Sequence, residues 1–63
     1  MRWTFDESVD AAYLLILDHP VVRTIPVSDN VNLDFDDEGI LLGVEILGAT
    51  RSGLTRDIVD RSA

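Results

Sequence analysis

The residues whose types and spacing could do chemistry are the acids of Asp34-Phe35-Asp36-Asp37-Glu38-Gly39, with Glu45 following after five more residues. Against a calcium-loop template, acids fall at positions 1, 3, 5 and 12, glycine at 6 and the apolar Leu41 at 8. In such a loop glycine permits a sharp turn, successive oxygens converge on a hard cation, and the last Glu closes the shell with both oxygens. Asp34, Asp36, Glu38 and Glu45 are therefore the candidate metal ligands. The template also requires a helix on each side, whereas both flanks alternate apolar and polar residues with the period of a strand. In a hairpin, Glu45 would lie several residues down a strand and point away from the turn. An ordinary acidic hairpin accounts for the same residues without an ion, so no metal and no cofactor is expected.

Other reactive side chains are isolated. His19 is the only histidine, so one chain cannot assemble a catalytic triad or a multi-histidine centre, although a symmetric dimer would bring two copies together. It reads as an exposed turn residue. Ser8, Ser28, Ser52 and Ser62 lie in polar connections, and no Gly-x-Ser-x-Gly elbow occurs. Gly39, Gly43, Gly48 and Gly53 are scattered without the following Lys of a phosphate-cradling loop. Asp6 and Asp10 flank the first turn, where carboxylates bond to open backbone amides far more often than they form a catalytic pair. No catalytic residue stands out, and no enzymatic activity is expected.

These residues must be positioned by a short chain. Sixty-three residues make one small domain, and the absence of cysteine removes disulfides and thiolate metal sites as staples. A chain of this size gains stability by associating with a second copy, so a homodimer is expected. Twelve Asp and Glu against five Arg leave a net charge of −7, which disfavours a phosphate backbone as the main partner, even counting Arg51, Arg56 and Arg61 in the tail. Asp29 to Glu38 holds five acids and no base. Asp34, Asp36, Asp37 and Glu38 are the candidate partner-binding residues, suited to a small basic protein; the plainer reading is a solubilising surface. The opening Met1-Arg2-Trp3-Thr4-Phe5-Asp6 has no signal-like apolar core. The longest apolar run, Ala11 to Leu17, is seven residues against the ~20 that span a bilayer. A cytoplasmic protein without membrane contact is expected.

Trp3 and Phe5 alternate with Arg2, Thr4 and Asp6, predicting a half-buried strand. Ala11 to Leu17 is apolar on both faces and reads as a central strand, with a helix from Val9 to Leu17 as the competing assignment. Asp18-His19-Pro20 is a turn. Val21 to Val27 is rich in β-branched residues, but Pro26 confines it to an edge or a bulge. Val31, Leu33 and Phe35 alternate strictly with Asn32, Asp34 and Asp36; a turn at Asp36 to Gly39 follows, with glycine available for a positive φ. Ile40, Leu42, Val44 and Ile46 then form one face of another strand, where Gly43 signals a bulge or a close backbone approach. Ser52, Leu54, Ile58 and Val59 suggest a short helix or a tail that orders on a partner.

At these positions the chain resembles a known family. Phe5-Asp6, Asp10-Ala11, Tyr13, Val31-Asn32-Leu33-Asp34-Phe35-Asp36, Gly39, Gly43-Val44-Glu45-Ile46-Leu47 and Ala49 are similar to the bacterial and archaeal domain of unknown function 2283 family, across about residues 3–50. The resemblance implies a tiny prokaryotic protein with no assigned activity, and for relatives encoded beside small toxins an antitoxin-like role. The expected fold is mainly β (α+β): a four-stranded antiparallel meander sheet over residues 1–50 with a short C-terminal helix or tail over 51–63. Trp3, Phe5, Tyr13 and Phe35 are expected in the core. Leu14, Ile16, Leu41 and Leu47 are the candidates for the opposite, self-associating surface.

Overall fold

The computed structural model describes residues 1–51. Five strands, β1 (Arg2–Asp6), β2 (Ala11–Leu15), β3 (Arg23–Ser28), β4 (Val31–Phe35) and β5 (Leu41–Leu47), are followed by one 3-10 turn, Ala49–Arg51. All neighbouring strands are antiparallel, in the order β1-β2-β5-β4-β3. The mainly β antiparallel class is as expected, while the count is five strands instead of four and the order is not a meander. In place of the competing helix over Val9 to Leu17, Ala11–Leu15 is a strand and no helix forms there. Among the described residues the only helical piece is the 3-10 turn; the rest of the C-terminal helix expected over 51–63 lies outside them.

One local constraint bears directly on this order. Pro26 cannot donate to a ladder, so β3 must be an edge strand, and a meander would have placed it at the centre of the sheet. The chain satisfies this with a crossover after β2. Ile16 and Leu17 both donate to the Leu42 carbonyl, at 2.8 and 3.1 Å, and Val22 donates to the Phe35 carbonyl at 2.9 Å. The segment thus passes the ends of β5 and β4 and delivers β3 to the far edge. β5, apolar at Leu42, Val44 and Ile46, takes the centre beside the equally apolar β2. The register slips between Pro26 and Ser28, so the edge expected for this stretch is also bulged.

Residues directly opposite each other share a face. Trp3–Leu14, Phe5–Ala12, Ala12–Ile46, Leu14–Val44, Leu33–Val44, Val31–Ile46 and Ile25–Leu33 are all such pairs, and they make one face of the sheet largely apolar, with Ser28 opposite Val31 and Arg23 opposite Phe35 at its β3 edge. Its centre is tight: Ala12 and Leu42 are 1% exposed, and Leu42 is the largest fully buried side chain among the described residues. Toward the edges the face opens, and Ile25 is 39% exposed. Of the four surface candidates, Leu14 belongs to this apolar face, Ile16 lies just past β2, and Leu47 sits opposite Ala11 on the other face. Leu41 pairs with Phe35 where the β4–β5 register slips. The four therefore do not form one surface.

The end of β5 is tied to the first hairpin by Asp10, which adopts a left-handed φ of 52°. Its carbonyl accepts from the Ala49 amide at 2.9 Å, and its carboxylate accepts from the Thr50 amide at 3.1 Å and hydroxyl at 3.0 Å. Ala49 is completely buried at this junction. Asp6 accepts from the Ser8 amide at 3.0 Å and hydroxyl at 2.6 Å. Both carboxylates thus bond to backbone amides, the role anticipated for them.

Candidate functional site

The second face of the sheet carries two hydrogen-bonded groups of polar side chains. β2 brings Tyr13 opposite Glu45, β4 brings Asp34 opposite Gly43 and Asn32 opposite Glu45, and β3 brings Thr24 opposite Asp34. Tyr13 lies diagonally across β5, over Gly43, and its hydroxyl donates to Asp34 Oδ2 at 2.8 Å. Thr24 Oγ1 donates to Asp34 Oδ1 at 2.6 Å, and Asn32 Nδ2 donates to Glu45 Oε1 at 2.9 Å. A Cβ at Gly43 would fall inside the van der Waals envelope of the Tyr13 Oη, Cζ and Cε2. The close approach expected at this glycine is thus the tyrosine ring.

Burial disfavours the charged phenolate of Tyr13; the hydrogen bond to Asp34 and then the negative charges of Asp34 and Glu45 act in the same direction. Together they push the Tyr13 pKa up to about 12. At neutral pH Tyr13 is therefore a fixed hydrogen-bond donor and no base. Both Asp34 oxygens are engaged within the sheet, and no buried side-chain nitrogen or oxygen among the described residues lacks a partner. The arrangement is suited to locking β2, β5, β4 and β3 together across the face.

The acidic hairpin turn has a different organisation. Asp36 is only 8% exposed and folds back on its own turn: Oδ1 accepts from the Glu38 and Ile40 amides, each at 2.9 Å. The Ile40 amide bond holds its carboxyl below the usual carboxylate range against the opposing effect of desolvation; the Glu38 amide and His19 act in the same lowering direction. Gly39 takes φ 78°, the conformation for which a glycine was expected here. His19, half-exposed on the crossover, places Nδ1 3.8 Å from Asp36 Oδ2, an ion pair only when protonated. Asp37 and Glu38 are exposed.

The calcium-loop residues are accordingly dispersed. Asp34 and Glu45 lie on the polar face in separate hydrogen bonds, Asp36 caps its turn, and Glu38 faces solvent. Among the described residues no group of three or more His, Asp or Glu is gathered to hold an ion. Of the four partner-binding candidates, Asp37 and Glu38 present exposed side chains. Tyr13, expected in the core, lies instead on the polar face. With Thr24 and Asn32, it is a site residue that the sequence reading missed; Gly43 was the one available signal, and it marked a close approach without naming what approaches.

The fold and this closed polar face define a small single-sheet β module with one apolar and one hydrogen-bonded surface. The family model described as protein of unknown function (DUF2283) matches residues 2–49, and the chain belongs to that family. No curated protein and no solved structure matches the chain. Among the described residues no helix is long and apolar enough to cross a membrane.

Proposed function

We propose that the chain is a protein-interaction module and not an enzyme, and that its contact surface is the apolar sheet face. The observation that carries this reading is that a face built from Trp3, Phe5, Leu14, Ile25, Val31, Leu33, Val44 and Ile46 is only half-buried at most of these positions. A sheet stabilises itself by burying one face against another layer, and half-buried residues of this kind gain roughly 1 kcal/mol or more each when covered. Sedimentation of the full chain tests the reading. Ile25→Lys places a charge on the most open part of the face while leaving the centre intact. It is expected to weaken association without changing the far-UV circular dichroism. Association that is indifferent to Ile25→Lys overturns the assignment of the face.

The finer form of this function is an antitoxin-like capture of a small basic protein. The exposed Asp37 and Glu38 and the net charge of −7 favour it. Asp37→Lys with Glu38→Lys is expected to weaken binding to a basic peptide and to flatten its salt dependence; unchanged binding removes this form and leaves the apolar-face reading standing.

A further inference from the structure

The two edges of the sheet are unlike. Leu47 donates to the Asn30 carbonyl, so the backbone groups of Asn32 and Asp34 also face β5 and those of Val31 and Leu33 face β3. Ile25, opposite Leu33, takes the inward bonds, which leaves Pro26 with its donor-less nitrogen on the outer edge, next to the bulge. That edge is blunted in the way natural sheets avoid pairing with other chains. β1, the opposite edge, has neither proline nor bulge.

On the β1 side, Ile16 donates to Leu42 on β5, so alternation turns Ala12 and Leu14 toward β5 and Ala11, Tyr13 and Leu15 toward β1. Their partners Asp6, Thr4 and Arg2 complete that ladder. The N–H and C=O groups of Trp3 and Phe5 therefore point outward from an edge with nothing paired to it among the described residues.

We infer that β1 is a self-complementary edge that pairs antiparallel with β1 of a second copy about a two-fold axis at Thr4, making one continuous ten-stranded sheet from two five-stranded ones. The sequence Arg2-Trp3-Thr4-Phe5-Asp6 reads onto itself in this register and no neighbouring one. Trp3 meets the partner's Phe5, matching outward donor to outward acceptor in both directions and pairing two aromatic rings on the apolar face. Arg2 meets the partner's Asp6 on the polar face, so opposite charges stand directly across the new ladder on both sides of the axis. Arg2 makes no ion pair within the described residues, whereas Asp6 is held in place by Ser8. A shift by two residues in either direction sets Trp3 on Trp3 or Phe5 on Phe5 and separates Arg2 from Asp6; a shift by one sets outward groups against inward ones. The pairing also joins the two apolar faces edge to edge, which extends the proposed contact surface without depending on it.

Charge exchange between two variants of the full chain tests this pairing. Arg2→Glu sets acid against acid twice in a homodimer, and Asp6→Lys sets base against base twice. Each is expected to weaken self-association about tenfold to a few hundredfold. Mixed together, the two variants restore opposite charges at both contacts and are expected to form a one-to-one heterodimer, seen by sedimentation and native mass spectrometry. In the unaltered chain, hydrogen exchange at the Trp3 and Phe5 amides is expected to slow as concentration rises, while Thr4 is protected at all concentrations. The exchange measurement needs no variant to fold. A monomer at every accessible concentration, or concentration-independent exchange at Trp3 and Phe5, overturns the inference. A dimer sensitive to Ile25→Lys but indifferent to both charge variants also overturns it, and leaves the apolar-face reading intact.

Discussion

Substituting alanine at Gly43 is expected to act against the ordinary trend. In the interior of a strand, glycine is less favourable than alanine by roughly 0.5–1 kcal/mol, so Gly43→Ala would normally stabilise. Here the added Cβ occupies space filled by the Tyr13 ring, and the atoms it meets include the hydroxyl that bonds Asp34. The ring must swing away, which breaks a 2.8 Å hydrogen bond to a carboxylate. Such bonds contribute about 1.5–3 kcal/mol, taken at the lower end because Asp34 is half-exposed and keeps Thr24. Loss of the ring's packing over the backbone adds about 1 kcal/mol, as overpacked sites generally do. After subtracting the propensity gain, the net destabilisation is about 1.5–2 kcal/mol, a fall in Tm of roughly 6–16 °C for a domain this small. The assay is urea and thermal unfolding, followed by the single tryptophan, Trp3, and by circular dichroism. The control is Gly43→Ala in a Tyr13→Ala background, where the obstruction is gone and the substitution is expected to stabilise by about 0.5–1 kcal/mol. Equal effects of Gly43→Ala in the two backgrounds would refute the coupling, and with it the account of why a glycine stands in the central strand.

Tyr13 is the only tyrosine, so its ionisation is readable by ultraviolet absorbance. The midpoint is expected near about 12, and Asp34→Asn is expected to bring it back toward 10 by removing a charged acceptor. Because the folded pKa is raised, the stabilisation tied to the neutral phenol is present below pH 10 and is lost as pH rises from there through about 12; an unshifted midpoint in Asp34→Asn contradicts the network. Asp36 has the opposite sign. Its folded pKa is depressed, so its contribution is present above pH 3.8 and disappears as pH falls below that value. Asp36→Asn keeps an oxygen to accept from the Glu38 and Ile40 amides, and is expected to melt with a shallower acid limb than the unaltered chain; identical acid limbs would show that Asp36 is not coupled to folding.

What could be read from the sequence divides along a physical line. The hairpin of Val31 to Ile46 was legible because strict alternation and a glycine-bearing acidic turn act between near neighbours, and β4 and β5 pair as that pattern requires. Pro26 was legible as an edge or bulge marker because a missing donor is a property of one residue. The pairing of β2 with β5 was not legible. It joins residues about thirty positions apart, and hydrophobic pattern alone cannot choose which of several apolar strands becomes a neighbour. The misplacement of Tyr13 descends from that gap. Without knowing that Tyr13 stands beside Gly43, the ring reads as core, Gly43 remains an unexplained weakness, and Asp34 is available for an ion or a partner.

The calcium template illustrates the same point from the other side. Its spacing counts residues along the chain, whereas a strand turns successive side chains to opposite faces and carries them about 3.3 Å apart. Asp34 and Glu45, eleven positions apart in sequence, do come onto one face. They do so because β4 and β5 pair antiparallel with Asp34 at Gly43 and Asn32 at Glu45, not because a loop wraps around a centre. Once there, the cross-strand neighbours decide their chemistry. Asn32 and Thr24 each present a donor to the carboxylate directly opposite, and Tyr13 reaches across the gap that glycine leaves. Asp34 and Glu45 therefore act as acceptors for the donors that stand across the sheet from them, and Asp36 for the amides of its own turn. Pro26 then has a second consequence beyond local geometry: with no N–H to offer beside the bulge it blunts the β3 edge, whereas β1, the other edge, has neither proline nor bulge.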